Sequence, residues 1–242
     1  MLSTRAVEAG EELTLSYGAH SNARLLRLYG FGLPANPHDT VPLYTAQSPV
    51  LASRTVEDGD GAAAAFSLAG DAAPQHAVQW ASRAAALLPQ FGELAASVGS
   101  LPPRLLGCRA LLLDGLEGQR VQGVLEGAGM GVGVGGGDDE ALLAWLGRFD
   151  ALASSGQMPA EALRVVVAAL LSDCHAALAR YPTTLEQDDA ALDDAAQMDA
   201  AGLAMPGRQP GGGLGGLRLL VGEKAILART AAQLQGLGAS LG

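Results

Sequence analysis

The chain has 242 residues, a formal net charge of −10 and an isoelectric point near 4.7. This acidic balance argues against a nucleic-acid-binding protein, because the neutralisation of phosphates requires a basic face. Hydrophobic residues make up 49% of the chain but aromatic residues only 4%, and Ala and Leu dominate. Such a composition favours helices packed on helices over a β-sandwich or barrel.

The two cysteines, Cys108 and Cys174, are too few for a disulfide framework. Both lie in apolar, helix-like runs, so we predict reduced thiols in the core. The first ten residues contain Arg5 and Glu8 and no apolar run, which is not typical of a secretory or transit segment. The most apolar stretch, residues 160–179, carries charged side chains, so no membrane span is expected.

The N-terminal part predicts short elements. Residues 12–17 alternate between polar and apolar side chains, as in a half-buried strand. Ser21 or Asn22 is placed to cap a short helix, with apolar residues on one side at Leu25, Leu26 and Leu28. Glycines and prolines between 30 and 37 predict a loop. Further short extended segments are expected at 41–45 and 65–68.

From residue 75 onward the pattern is helical, with predicted helices at 75–88, 103–113, 140–153, 159–181, 184–197 and 217–237. The helix at 159–181 has the clearest signal. Its apolar residues step by threes and fours along one stripe, formed by Leu163, Val167, Leu170, Cys174, Leu178 and Tyr181. Pro159 suits the first turn of this helix and Pro182 cannot continue it.

Polar residues mark the start of the next helix. Thr183 or Thr184 can cap it, with Glu186 and Gln187 as acceptors in its first turn. The acidic cluster that follows is expected to form a solvated helix face; a functional alternative is that it attracts a basic substrate segment. The cluster consists of Glu186, Asp188, Asp189, Asp193 and Asp194.

Two Gly-rich tracts, near 127–137 and 206–216, predict flexible connections between helices. The first tract contains a GxGxxG string at Gly131–Gly136. Because no predicted strand precedes this string, it indicates low complexity and not a dinucleotide site.

Two ordered sets of motifs resemble one protein family. The first runs Gly10-Glu11-Glu12-Leu13, Ser16-Tyr17-Gly18, Ser21-Asn22-Ala23, Tyr29-Gly30-Phe31, Asn36-Pro37 and Asp39. It resembles the end of a SET domain of the Rubisco large-subunit and actin methyltransferase group. The second runs from Tyr181 to Asp188 and resumes at Gly222–Leu227. It resembles the end of the helical Rubisco-methyltransferase substrate-binding domain, which follows the SET domain in this family.

This resemblance implies two domains, a C-terminal SET fragment at 1–45 and a helical substrate-binding domain at 46–242, in a mostly α fold. It implies a protein-lysine, or protein-histidine, methyltransferase that uses S-adenosylmethionine and acts on a protein substrate. Tyr17 matches the catalytic tyrosine and Phe31 the residue that packs on the cofactor's adenine. Tyr29 matches a wall of the substrate channel, and His20 falls in a substrate-contacting turn.

Each aromatic residue keeps a second interpretation as plain core packing. The early Gly-rich and Asn-His-Ser motifs that bind the cofactor in this family have no counterpart in the chain. We therefore expect a gene-model fragment or a genuinely shortened protein that is not active alone. The alternative is a non-catalytic, protein-binding helical module with a vestigial SET tail. The family occurs in chloroplasts, cytosol and nucleus, so the compartment stays open, as does the oligomeric state.

Other site chemistries have little support. The four histidines and two cysteines lack the spacing of metal ligands, so no metal site is expected. The chain contains neither a Gly-x-Ser-x-Gly elbow nor a Walker loop.

Overall fold

The computed structural model describes residues 6, 8–11, 15–44, 94–97, 103–113, 115–131, 139–200 and 212–242. In these ranges the chain forms helices and one two-stranded antiparallel sheet, which confirms the mostly α fold with a small β part. The helices are α1 (Asn22–Tyr29), α2 (Pro103–Leu111), α3 (Gly115–Gly127), α4 (Asp139–Ser154), α5 (Ala160–Leu178), α6 (Leu185–Ala200) and α7 (Gly212–Ser240). The strands are β1 (Thr40–Tyr44) and β2 (Leu94–Ser97).

The sheet pairs a predicted strand with one that the sequence did not predict. Thr40 lies opposite Ser97 and Val41 opposite Ala96, and the register shifts between Pro42 and Tyr44. Because proline cannot donate to a ladder, a short, irregular pairing is its usual place. The predicted extended segment at 65–68 and the predicted helix at 75–88 lie outside the described residues.

The core lies between the long helices. α7 packs against α5 and α6 and also contacts α1 and the sheet. Trp145 and Phe149 of α4 are buried with their ring centroids 5.3 Å apart, and the Trp145 Nε1–H donates to the Met130 carbonyl at 3.0 Å. A largely buried ion pair, Arg109 to Asp173 at 2.6 Å, joins α2 to α5.

The predicted apolar stripe of α5 is confirmed. Its first four members are buried, and Leu178 and Tyr181 pack on the core with part of their surface exposed. Cys108 and Cys174 are buried thiols that form no disulfide, as predicted. Burial raises the pKa of Cys174 to about 12, which keeps its sulfur protonated. None of the described helices is long and apolar enough to cross a membrane.

Two predictions for the N-terminal part are wrong. Residues 15–17 are not in a strand, and Leu15 and Tyr17 are exposed, because among the described residues no neighbouring strand pairs with this segment. Residues 12–14 lie outside the described ranges. In α1, Leu25 is buried but Leu28 is 50% exposed, so the predicted apolar side is incomplete.

Glycine misled the prediction in two places. α3, which contains four glycines, was not predicted; Gly118 is necessary there, since a Cβ would lie 2.6 Å from the Leu113 carbonyl oxygen. α7 begins at Gly212, inside the tract predicted as a loop. Its Gly215 lets the helix approach α1 closely, because a Cβ there would meet the Leu26 side chain at 3.0 Å.

Candidate functional site

Three aromatic side chains from the N-terminal segment, residues 15–44, form one cluster. The ring centroid of Tyr17 lies 4.4 Å from that of Tyr29 and 5.4 Å from that of Phe31, and Tyr29 and Phe31 are 6.4 Å apart. Tyr29 ends α1, and Gly30 takes a left-handed conformation with φ of 79°. This turn brings Phe31 back beside the two tyrosines. The structure therefore places together the three aromatic residues that the sequence singled out.

The aromatic cluster is open to solvent. Tyr17 is 47% exposed and Tyr29 46%, whereas Phe31 is partly buried. His20, the fourth candidate residue, is partly buried in the turn between Tyr17 and α1. An aromatic ring can bind an alkyl-ammonium group through cation–π attraction, and a phenol can orient an amine by hydrogen bonding. The aromatic cluster thus offers groups of both kinds.

A buried polar network holds the cluster's segment in shape. The backbone N–H of Asn22 donates to Asp39 Oδ1 at 2.8 Å, and its side-chain amide donates to Asp39 Oδ2 at 2.9 Å. Asn22 also exchanges two hydrogen bonds with the Leu33 backbone. Asn36 donates to the carbonyl of His20 at 2.9 Å. Asn22 thus ties the start of α1 to Leu33 and Asp39, in the loop that follows Phe31.

The predicted side-chain cap of α1 is not formed. Ser21 takes the N-cap position of α1 but makes no side-chain capping bond, and Asn22 faces inward. Burial raises the pKa of Asp39, although the hydrogen bonds from Asn22 and Thr40 lower it. Sequence motifs contained these residues, but only the structure shows that they are buried and hydrogen-bonded to one another.

The N-terminal segment is docked on α7. Arg218 donates to the Gly32 carbonyl at 3.1 Å, and a Cβ on Gly32 would meet the Gly215 carbonyl oxygen at 3.3 Å. Farther along the helix, a Cβ on Gly222 would lie 2.8 Å from Asp39 Oδ2. These close approaches connect the aromatic segment to the helical part of the protein.

The second set of motifs, Tyr181–Asp188 and Gly222–Leu227, forms a buried ion pair and not a surface site. Lys224 of α7 binds Asp188 of α6 and also donates to the carbonyl and the hydroxyl of Thr183, at 2.7 and 2.8 Å. Its ammonium lies 5.1 Å from the centre of the Tyr181 ring. The hydrogen bond from Lys224 holds the pKa of Asp188 below its usual range. Asp188 therefore does not belong to the solvated acidic face predicted for it, whereas Glu186, Asp189, Asp193 and Asp194 are exposed.

Tyr181 and Glu223 extend this network toward the N-terminal segment. The Tyr181 hydroxyl donates to Glu223 Oε2 at 2.8 Å. Burial raises the pKa of Glu223; the bond from Tyr181 opposes this effect and the charge of Asp39 adds to it. Burial and the bond to Glu223 likewise raise the pKa of Tyr181. Glu223 therefore couples the two buried networks electrostatically.

A threonine caps α6 as predicted, and of the two candidate threonines the structure selects Thr184, with Gln187 as its partner. The Thr184 backbone N–H donates to Gln187 Oε1 at 2.9 Å, and the Gln187 N–H donates to Thr184 Oγ1 at 3.3 Å. This reciprocal pair is a capping box. It fixes the start of α6 beside Thr183, where Lys224 binds.

The described residues contain no group of three or more His, Cys, Asp or Glu side chains that could hold a metal ion.

Comparison with known protein families gives one informative match. Residues 140–227 match the family model described as Rubisco LSMT substrate-binding. The matched range runs from α4 to the middle of α7 and includes Tyr181, Asp188 and Lys224. No curated protein and no solved structure matches the chain. The match lies inside the predicted helical domain, while the SET assignment of residues 1–45 stays a prediction. The helices between residues 140 and 227 are thus similar to a Rubisco LSMT substrate-binding domain, the kind of domain that implies a protein substrate.

Proposed function

We propose that this chain recognises the protein substrate of a SET-family, S-adenosylmethionine-dependent protein-lysine N-methyltransferase. The observation that carries the proposal is the match of residues 140–227 to the substrate-binding family model. The docking of the aromatic segment on α7 supports it, because a substrate bound along the helices would lie near Tyr17, Tyr29 and Phe31.

In this proposal the aromatic cluster is the part of the chain that meets the reacting side chain. The Tyr17 hydroxyl would orient the neutral lysine amine, and Tyr29 would line the path along which the side chain enters. His20 would contact the substrate beside this path. Phe31 would pack on the adenine of S-adenosylmethionine, which supplies the methyl group when bound.

The described residues do not by themselves build a catalytic centre in this proposal. Methyl transfer needs a site that excludes water, whereas Tyr17 and Tyr29 are each about half exposed. We therefore expect the 242-residue chain to show no measurable binding in a calorimetric titration with S-adenosylmethionine. A micromolar dissociation constant would show that the cofactor site is complete.

A direct test of substrate recognition compares two labelled peptides that differ only by lysine or norleucine at one position. Fluorescence polarisation should show tighter binding of the lysine peptide, because the ammonium group gains cation–π contacts. Tyr17→Ala and Tyr29→Ala should abolish this preference. Tyr17→Phe, which keeps the ring, should retain most of it.

The alternative function, a non-catalytic protein-binding module, is favoured by the solvent exposure of the two tyrosines. Such a module would bind the lysine and norleucine peptides equally well. Equal binding that Tyr17→Ala and Tyr29→Ala still weaken would therefore select this alternative over lysine recognition.

A further inference from the structure

Lys224 is the only lysine in the 242-residue chain, since the other fourteen of its fifteen Lys and Arg residues are arginines. It lies on α7, and its side chain is 2% exposed. An arginine guanidinium stays protonated and presents no lone pair to an acyl donor. Any acylation of a side-chain amine in this chain must therefore occur at Lys224.

The amine of Lys224 is fully engaged in the folded chain. It donates to the Thr183 carbonyl at 2.7 Å, to the Thr183 hydroxyl at 2.8 Å and to the Thr184 carbonyl at 3.4 Å, and it binds the Asp188 carboxylate. An ammonium group has three N–H donors and no lone pair. The Tyr181 ring also lies beside it, with its centre 5.1 Å from Nζ. An acyl donor cannot reach the nitrogen while these contacts persist.

These four acceptors all lie at the start of α6. Thr183 and Thr184 precede the helix, and Asp188 lies in its first turn. The capping box of Thr184 and Gln187 holds this start in its helical shape. Folded proteins open locally as well as globally. Separation of the start of α6 from α7 therefore exposes the amine.

An acyl group on Lys224 is incompatible with the closed arrangement. Acylation converts the ammonium into an amide, which carries no charge and only one N–H. The Asp188 carboxylate then loses the cation that compensates its burial, and the threonine acceptors lose donors. The added atoms also need space at a residue that is 1% exposed. The modification therefore favours the open state.

We propose that Lys224 is an acylation site that is accessible only while the start of α6 is separated from α7, and that an acyl group placed there prevents the two helices from closing. The acyl donor is a thioester or another activated ester. This proposal involves neither the aromatic cluster nor a protein substrate, so it does not depend on the proposed function.

The reaction takes place on the open chain. The neutral amine attacks the carbonyl carbon of the ester, and a bond forms between Nζ and this carbon. The bond from the carbon to the sulfur or oxygen of the leaving group breaks. The leaving thiolate or alkoxide takes up the proton that the nitrogen loses.

The rate of acylation tests the accessibility of the amine. The full chain is treated with the N-hydroxysuccinimide ester of acetic acid, and mass spectrometry of peptides measures acetylation at Lys224 and at the α-amine, an internal reference. Arg148→Lys, which adds a lysine at an exposed position of α4, is the matched control. We expect Lys224 to react about a hundredfold more slowly than the added lysine. Equal rates would overturn the proposal.

Thr184→Ala tests where the chain opens. The change removes the hydroxyl that caps α6, so the start of this helix should separate from α7 more often. We expect acetylation of Lys224 to be about fivefold faster, with no change at the α-amine. An unchanged rate at Lys224 would show that the opening does not involve the start of α6, contrary to the proposal.

Hydrogen exchange tests whether the acyl group prevents closure. The chain is acetylated in guanidinium chloride, refolded by dialysis and compared with a chain taken through the same steps without the reagent. The backbone amides of α6 should exchange about tenfold faster or more in the acetylated chain, while those of α5 stay protected. A chain acetylated in its folded state, on the α-amine and not on Lys224, controls for the α-amine.

Lys224→Gln gives the same comparison without a refolding step, because its neutral amide stands in for the acylated lysine. Fast exchange of the α6 amides is expected here as well. Amides of α6 that stay protected in both the acetylated chain and this variant would overturn the proposal.

Discussion

Lys224 on α7 binds Asp188 on α6 almost entirely out of water, with 2% and 6% of their side chains exposed. The removal of one partner leaves the other charge buried without compensation, which costs about 3–5 kcal/mol. We expect Lys224→Met and Asp188→Leu each to lower the free energy of unfolding by such an amount. Urea denaturation followed by circular dichroism measures this change.

The double variant gives the control for the ion pair. Because Lys224→Met combined with Asp188→Leu leaves no unpaired charge, its loss of stability should be clearly smaller than the sum of the two single losses. Additive losses would mean that the two residues act independently, contrary to their contact.

Glu223 should make stability depend on pH. Its pKa is raised above the ordinary value of 4.5, chiefly by burial. The folded protein therefore keeps a proton on Glu223 at pH values at which the unfolded chain has released it. The contribution of Glu223 to stability is complete below pH 4.5, and it declines as the pH rises through the folded pKa. Glu223→Gln keeps a partner for Tyr181 and removes the titration. We expect this variant to gain stability relative to the natural chain as pH rises, by at most about 1.4 kcal/mol per pH unit.

The measurement is urea unfolding at pH 5, 6, 7 and 8 of the Glu223→Gln variant and the natural chain. Glu126→Gln, on an exposed position of α3, controls for the loss of one carboxylate. A stability difference for Glu223→Gln that stays constant over this range would contradict the proton linkage.

Gly222→Ala should loosen the N-terminal segment from α7. The added Cβ would lie 2.8 Å from Asp39 Oδ2, and Asp39 is held in place by Asn22. We expect faster hydrogen exchange of the backbone amides in residues 22–40, while the amides of α5 remain protected. Gly216→Ala is the matched control, because nothing lies within 4 Å of its Cβ position. That change should stabilise α7 by about 0.5–1 kcal/mol, since alanine is the better helix former.

Thr184→Ala should destabilise the start of α6. The change removes the hydroxyl that accepts from the Gln187 N–H, and such caps contribute about 1 kcal/mol. Thermal unfolding should show a lowered midpoint, and Thr184→Ser should restore most of it. An unchanged midpoint for Thr184→Ala would mean that solvent replaces the capping bond at no cost.

Sequence patterns identified the features that depend on neighbours along the chain. The stripe of α5 and the capping box at Thr184 both arise from spacings of three and four residues, so they could be predicted without coordinates. The aromatic cluster was foreseen through its resemblance to a family, and the structure brings Tyr17, Tyr29 and Phe31 together. Its catalytic role stays a prediction.

Sequence patterns gave wrong predictions where contacts between residues far apart in the chain decide the local structure. The alternation at 12–17 predicted a strand, but a strand needs a partner to satisfy its backbone, and the described part of this segment has none. The start of α7 was predicted as a loop and α3 was not predicted, yet close packing against Leu26 and Leu113 requires a residue without a side chain in both helices.

The sequence alone determined that this protein is mainly helical and where most of its helices lie, because helix formation follows local spacing. It also determined which motifs resemble a substrate-binding domain. Only the tertiary structure decided the roles of Asp188, Asp39 and Asn22. Residues far away in the chain remove their polar groups from water. A carboxylate that would be solvated on an isolated helix is therefore buried and must be hydrogen-bonded within a fixed network.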